Sequence, residues 1–351
     1  MPQNVTIRIS PTEAANEKIL KQRLASAVKT KPENINAYQI IRRSLDARSR
    51  NIISQLQVNV FVNEEFSDAF EFHPNLQNVE NKHEVYIAGA GPAGLFAALE
   101  LIEQGLKPII IERGKNVRDR RRDLAAMNKE GKVNPESNYC YGEGGAGTYS
   151  DGKLYTRSTK RGNILKSLQW FVHFGATERI LQEAHPHIGT NKLPGIIANM
   201  REAIIECGGE VWFDTKLTDI IIENNQIKGI EINHDKKIKT SSLILATGHS
   251  ARDIFRMLDE KKVLIEAKPF ALGVRVEHHQ SLIDSAQYHC PIGTERNEFL
   301  PPASYSLVSQ EAGRGVFSFC MCPGGIIAPA STDEGELVVN GLSLIHISEP
   351  T

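Results

Sequence analysis

Gly89-Ala90-Gly91-Pro92-Ala93-Gly94 is the stretch of this chain whose residue types and spacing point most directly to chemistry. Glycines at these three intervals suit a diphosphate. Gly89 permits a tight turn, Gly91 lets the main chain approach a pyrophosphate, and Gly94 lets a helix and a strand pack closely. Pro92 and Ala93 open the helix, whose free N–H groups and positive dipole end would receive the phosphates. A chance glycine turn is the plain alternative, so the flanks decide. Residues 84 to 88 (EVYIA) form an apolar run suited to a buried parallel strand. Leu95, Ala98, Leu99 and Ile102 then recur at helical spacing, and Gly105 sits where a C-terminal cap belongs. A second apolar strand, residues 107 to 111, ends at Glu112, 18 residues past Gly94. That carboxylate can accept hydrogen bonds from ribose hydroxyls and would repel a 2′-phosphate, so the site is unsuited to NADP. Strand, glycines, helix, second strand and acid are all in register. They imply an adenine dinucleotide without separating FAD from NAD.

Two further stretches bear on the same site. In 142–154, Gly142, Gly144, Gly145, Gly147 and Gly152 would let main chain pass close to a flat ring or a phosphate, and Thr148, Ser150, Asp151 and Lys153 add polar groups. A disordered linker is the alternative. Tyr141, Tyr149, Leu154 and Tyr155 oppose it by interleaving apolar mass. Downstream, residues 196–209 read as an amphipathic helix ending at Gly208-Gly209, followed by a strand at EVWF. LTDIII and KGIEI, joined at Asn224-Asn225, suggest antiparallel strands, and LILATG returns to a buried strand ending at Thr247-Gly248.

GAGPAGL with the later ERG (Glu112, Arg113) resembles the glutathione-reductase-type FAD fold. The stretches GEGGAGTYSDGKL, HPHIGTNKLPGI, LILATGHSARD, KPFALGVRVEH and GVFSFCMCPGG resemble those of the bacterial uncharacterised FAD-dependent dehydrogenases, also called NAD(FAD)-utilising dehydrogenases. The resemblance spans about residues 1–342 and implies a bound FAD and a redox role, with no substrate attached. It also implies that the 142–154 loop lies beside the isoalloxazine and the pyrophosphate, which brings Gly145, Gly147, Ser150 and Lys153 to the cofactor. By the same likeness the ATG strand joins the parallel sheet, with Thr247 and Gly248 near FAD.

What the flavin does is read from fewer residues. Lys153, if near the N1–C2 edge of the ring, would favour the anionic reduced flavin, and His249 follows the ATG strand; both are candidate tuners. His249 also reads as a partly exposed loop histidine. His185 and His187 flank Pro186 and could line a pocket or be structural, and no partner at ligand spacing suggests a metal. Cys320 and Cys322 would share one face of a strand, as a redox pair or as small buried hydrophobes; CxC is not the CxxC of flavin disulfide reductases. No second GxGxxG follows. A nicotinamide would therefore visit transiently, or the substrate itself would reduce the flavin.

The elements that must position these residues divide the 351-residue chain. Residues 1–78 read as an α+β module. Val5, Ile7 and Ile9 alternate on a strand, Ile19, Leu20, Leu24 and Val28 share a helical face behind Thr12 as N-cap, and residues 51–62 alternate again. Arg42, Arg43, Arg48 and Arg50 suggest a solvated helix face, or a contact with RNA or an acidic partner, and Arg118 to Arg122 a second solvated face offset by Asp119 and Asp123. The expected order continues with FAD-binding parts at 79–160 and 195–252, the latter with a β-meander, separated by an insertion at 161–194. A mixed-sheet substrate domain at 253–341 follows. Residues 342–351 (LSLIHISEPT) resemble sequencing-adapter read-through and read as a non-native tail. The family pattern would run well over a hundred residues further, so the substrate domain is expected to be incomplete and FAD weakly held.

Composition narrows the function. Forty per cent hydrophobic and 24% charged residues fit an ordinary globular chain, and 41 Lys plus Arg against 42 Asp plus Glu argue against a general nucleic-acid binder. With no secretory signal, no membrane-length apolar run and five scattered cysteines, the chain reads as cytoplasmic. The leading expectation is an FAD-dependent oxidoreductase of a small molecule. An FAD-dependent tRNA-modifying enzyme and a non-catalytic flavin-binding protein are the alternatives.

Overall fold

The computed structural model describes residues 1–149, 152–156, 162–189, 192–318, 321–323 and 325–343. The N-terminal module comprises β1 (Gln3–Ile9), α1 (Pro11–Ala15), α2 (Glu17–Ala27), β2 (Ile35–Asp46) and β3 (Ile53–Val62). Its antiparallel sheet runs β1-β3-β2 and packs Ile7, Ile9, Leu56, Val58 and Val60 against Leu20 and Leu24 of α2. Two differences from the sequence reading appear. Ser10, not Thr12, caps α1: its hydroxyl accepts the Glu13 N–H (3.2 Å) while the Glu13 carboxylate accepts the Ser10 N–H (3.0 Å). The helix then breaks, and Asn16 caps α2. Arg42 and Arg43 lie on β2 rather than on a helix face, and Arg48 and Arg50 in the connection to β3. Pairing along β3 from Ile35↔Val62 to Asp46↔Ile53 satisfies the backbone of β2 in a ladder, and it overrides the local charge pattern.

The second part contains β4 (Glu84–Ala88), α3 (Pro92–Glu103), β5 (Lys107–Ile111), α4 (Val117–Glu130), α5 (Ile164–His173), α6 (Arg179–Gln182), α7 (Leu193–Glu206), β6 (Glu210–Trp212), β7 (Leu217–Glu223), β8 (Gln226–Ile232), β9 (Lys236–Lys239), β10 (Leu243–Leu245) and α8 (Arg252–Glu260). Strands β10, β4, β5 and β6 form a parallel sheet in that order, and β7-β8-β9 form a separate antiparallel meander. Asn224 and Asn225 both take positive φ (51° and 61°), as a two-residue hairpin turn requires. Alternation along the buried strands feeds two cores. Ile87 and Ile110 face α3, α5 and α7 (Leu95, Leu99, Trp170, Ile197, Met200), while Tyr86, Ala88, Ile109 and Ile111 face the meander and α8 (Ile220, Ile230, Ile254, Met257).

Beyond α8 come α9 (Gln280–Tyr288), β11 (Val308–Glu311), β12 (Arg314–Phe317), β13 (Gly325–Pro329) and β14 (Val339–Ser343). Among the described residues β11/β12 and β13/β14 are two separate antiparallel pairs, not one mixed sheet. The alternating run Phe270, Leu272 and Val274 is 85–90% exposed and pairs with no strand among the described residues. No helix among the described residues is long and apolar enough to cross a membrane.

Candidate functional site

The helical ladder of α3 opens with the Leu95 N–H donating to the Gly91 carbonyl at 3.0 Å. The N–H groups of Gly91, Ala93 and Gly94 lie ahead of it, and Pro92 at the first helical position has none. Gly89, at φ 108°, sits so close to the ATG strand that a Cβ would lie 2.4 Å from the Ala246 carbonyl oxygen; a Cβ on Gly94 would lie 1.9 Å from that of Gly89. Gly91 differs. Its φ of −72° suits any residue, and a Cβ there would meet nothing nearer than Gly145 Cα at 4.0 Å. That side of the turn packs against the second glycine loop, to which it is also tied by the Gly144 N–H donating to the Ala90 carbonyl (2.8 Å). A Cβ added to Gly147 or Gly248 would have no neighbour within 4 Å. Two glycine loops and a helix start therefore form a cradle walled by backbone.

Three buried polar side chains fix it. Glu112, 5% exposed, accepts the N–H groups of Ala90 (2.7 Å), Gly142 (2.8 Å) and Gly114 (2.9 Å), so its carboxylate ties the first glycine loop to the second. Arg120 is wholly buried and donates to the carbonyls of Glu143 (2.7 Å), Asn138 and Gly145 (both 2.8 Å) and Tyr139 (2.9 Å), and to the Thr148 hydroxyl (3.1 Å). Burial pulls its pKa down. Glu143, 1% exposed, accepts the Val117 N–H at 2.7 Å at the start of α4, and burial raises its carboxyl. The sequence reading set the Arg118–Arg122 run on a solvated face; for Arg120 this is corrected. The missed signal is its register with Val117, Leu124 and Met127, the buried stripe of α4.

The aromatic residues that argued against a linker also anchor this loop. The Tyr149 hydroxyl donates to the Val117 carbonyl and the Tyr141 hydroxyl to that of Ser250, each at 2.6 Å. Burial pushes Tyr141 up to about 12. Arg113 lies over the Tyr141 ring at 4.2 Å and pairs with Glu136 (2.6 Å) and Asp253 (3.1 Å), while Lys216 closes the square at 3.0 and 3.2 Å from the same two carboxylates. Burial pushes both carboxyls up, but Arg113 and Lys216 outweigh it and hold them below the ordinary value.

The parallel register Leu245↔Ala88 and the Ala246 N–H donating to the Ala88 carbonyl (2.8 Å) bring Thr247 beside Gly89, and Gly248 follows it. His249 is exposed. Lys153 lies opposite His187 in a short antiparallel bridge, its ammonium 3.5 Å from Cys322 Sγ. Ser150, Asp151 and Cys320 fall outside the described residues.

This geometry fits a dinucleotide diphosphate, and comparison with known proteins specifies which. Residues 82–125 match the family described as FAD binding domain, and residues 269–350 the family described as FAD-dependent protein, C-terminal domain-like. FAD is the cofactor. The chain is a flavoprotein, and Gly89, Gly91 and Gly94 lie inside the first match. The second match runs to residue 350 and so offers no support for setting 342–351 apart as non-native. Residues 1–61 match a domain of unknown function. An uncharacterized protein of Clostridium beijerinckii is 40% identical over 343 residues, which are 93% of this chain and 63% of that protein. The chain thus spans less than two thirds of that relative. Thiamine thiazole synthase of Aeropyrum pernix is 28% identical over 152 residues, 43% of this chain and 44% of that one. Among solved structures, THI4 of Thermovibrio ammonificans covers 52% of this chain and 64% of its own, at 17% identity and a TM-score of 0.35. Glycine oxidase of Bacillus cereus covers 52% and 59%, at 17% identity and a TM-score of 0.28.

Proposed function

We propose that this chain belongs to an FAD-dependent oxidoreductase acting on a small molecule, built on the glutathione-reductase type of FAD fold. The sheet order β10-β4-β5-β6, with a β-meander inserted between β6 and β10, supports that subclass. The observation that carries the reading is the α3 N-terminus, where the N–H groups of Gly91, Ala93 and Gly94 lie ahead of the first helical hydrogen bond and Gly145 packs against Gly91. The α3 N-terminus binds the diphosphate, Glu112 holds both glycine loops at that spacing, and Arg120 keeps the second loop rigid. Pyrophosphate oxygens meet N–H donors already in position, which lowers the ordering cost of binding. The bound flavin supplies hydride chemistry, while the protein orients the reactants and excludes water.

Arg43 is half-buried on β2 and gives its carbonyl to the Ala184 N–H, so the N-terminal arginines do not form one continuous exposed face. This favours a small-molecule substrate over RNA. The test is anaerobic reduction of the FAD-loaded protein by NADH, NADPH and a panel of metabolites. Saturable bleaching of the flavin by at least one of these supports the reading. Bleaching by dithionite alone, with every metabolite and nicotinamide inert, would leave a non-catalytic flavin-binding protein.

A further inference from the structure

We propose that the cleft between the N-terminal module and the turn at residues 297–300 is a second ligand site, which takes a small monocarboxylate with an apolar body. It shares no residue with the FAD cradle, so what it binds is distinct from the flavin and its diphosphate.

The cleft has a volume of about 390 Å³, within the range of small-molecule sites. Ser10, Arg50, Asn51 and Ile53 line it from the N-terminal module, and Asn297 and Leu300 line the other side. Both walls are fixed. Ser10 is held in its capping box with Glu13. Opposite, the Leu300 N–H donates to the Asn297 carbonyl at 2.9 Å. Arg296 donates through Nε to the Leu300 carbonyl and through Nη1 to the Asp284 carboxylate, each at 3.0 Å. Asp284, 6% exposed, also accepts the Ala303 N–H at 2.8 Å, which anchors this turn on α9. At the end of α9, His289 Nε2 lies 3.1 Å from the Ala47 carbonyl and ties the same seam together.

The chemistry of the lining selects the ligand. Two of its acceptors are already used: Asn297 Oδ1 takes the Phe299 N–H (2.9 Å) and Ser10 Oγ the Glu13 N–H (3.2 Å). The donors are not. The Arg50 guanidinium and the NH2 groups of Asn51 and Asn297 make no hydrogen bond or ion pair among the described residues. No acid among the described residues lines the cleft. The acids nearest in sequence are engaged elsewhere, Glu13 by Arg23 at 2.7 Å and Asp46 by Arg8 and Arg48 at 3.2 and 2.7 Å. One cation without an acid calls for one negative charge, and a planar guanidinium matches a carboxylate. A phosphate dianion would find only half its charge met. Ile53 and Leu300 offer apolar surface for the rest of the ligand. The arrangement also gives the N-terminal module a task, since it supplies the cation to a site that residues 297–300 complete.

The test is calorimetric titration of the FAD-loaded full chain at low salt with phenylacetate, acetate, phenylacetamide and inorganic phosphate. The expected result is saturable phenylacetate binding. Acetate, which lacks the apolar body, should bind at least about tenfold more weakly. Phenylacetamide, which lacks the charge, should bind about fivefold more weakly. Arg50→Ala should weaken phenylacetate about fivefold, at the upper end for one exposed charge contact, and leave phenylacetamide unchanged. Arg50 is exposed, so this variant should fold, and parent-like thermal unfolding without ligand confirms that. Absence of phenylacetate binding overturns the proposal. So does phenylacetate binding indifferent to Arg50→Ala, which would place the probe elsewhere on the protein, the flavin site included. Inorganic phosphate bound as tightly as phenylacetate would overturn the carboxylate class.

Discussion

Glu112→Gln separates two tasks for the acid that ends β5. The carboxylate is nearly inaccessible and takes three backbone N–H groups, two on Oε1 and one on Oε2. Glutamine keeps the shape but offers one acceptor oxygen and one NH2 group. In its better orientation the amide oxygen serves Gly114 and Gly142, and the NH2 faces the Ala90 N–H. Two charge-assisted bonds then become neutral ones, at roughly 1 kcal/mol each, and the Ala90 N–H and the NH2 facing it are both left without an acceptor, at a further 1–3 kcal/mol or more. The expected loss is at least about 3 kcal/mol, or at least about a hundredfold in the opening equilibrium of the two glycine loops. Hydrogen–deuterium exchange on the FAD-free protein reads this directly. Peptides covering residues 88–91, 112–115 and 140–143 should exchange at least about a hundredfold faster, with the N-terminal module unaffected. If those peptides exchange at the parent rate while FAD affinity collapses, the carboxylate serves the ribose and not the loops, and the reasoning fails.

Arg120→Met removes a buried cation, leaves the Asn138 and Tyr139 carbonyls without its N–H groups and those of Glu143 and Gly145 with Thr148 as their donor; stability should fall by about 3–5 kcal/mol, measured by denaturant unfolding with FAD retention followed in parallel, and a loss below 1 kcal/mol would contradict its placement. The Arg113–Glu136–Lys216–Asp253 square predicts a pH dependence. Both carboxyls are held below their unfolded values, so their contribution is fully present above about pH 5 and is lost as pH falls through the folded values. Unfolding midpoints at neutral and acid pH should converge in part on Arg113→Met, and an identical acid loss in both proteins would refute the assignment.

The dinucleotide turn was legible because every link in it is local. An apolar strand, a glycine corner, a 3.6-residue apolar stripe and an acid all follow one another within 29 residues, and β4, α3 and β5 form at those positions. The meander was legible for the same reason, with Asn224-Asn225 marking its turn. The partners that make the site work are not local. Glu112 reads as a ribose acceptor from its spacing, yet its hydrogen-bond partners in the fold are amides 22 and 30 residues away and one two residues on. Arg120 reads as surface because its neighbours Arg118, Arg121 and Arg122 are charged, and only the stripe through Val117, Leu124 and Met127 reveals its inward side. Arg42 and Arg43 read as helical from charge alone; β3, which overrides that reading, begins ten residues later. Phe270, Leu272, Val274 and Val276 alternate like a strand, and what would pair with them cannot be read from the segment itself.

The central proposal is that the α3 N-terminus at Gly91, beside the Gly145 loop, holds the diphosphate of FAD. Gly91→Ala isolates it, because the added Cβ clears the protein by 4.0 Å and the backbone there has ordinary dihedrals. Equilibrium titration with FAD, read by quenching of flavin fluorescence, is the direct measurement. Gly91→Ala should unfold at the parent temperature but bind FAD at least about tenfold more weakly, the loss of roughly one charge-assisted contact. Parent-like FAD affinity in a normally folded Gly91→Ala protein would contradict it.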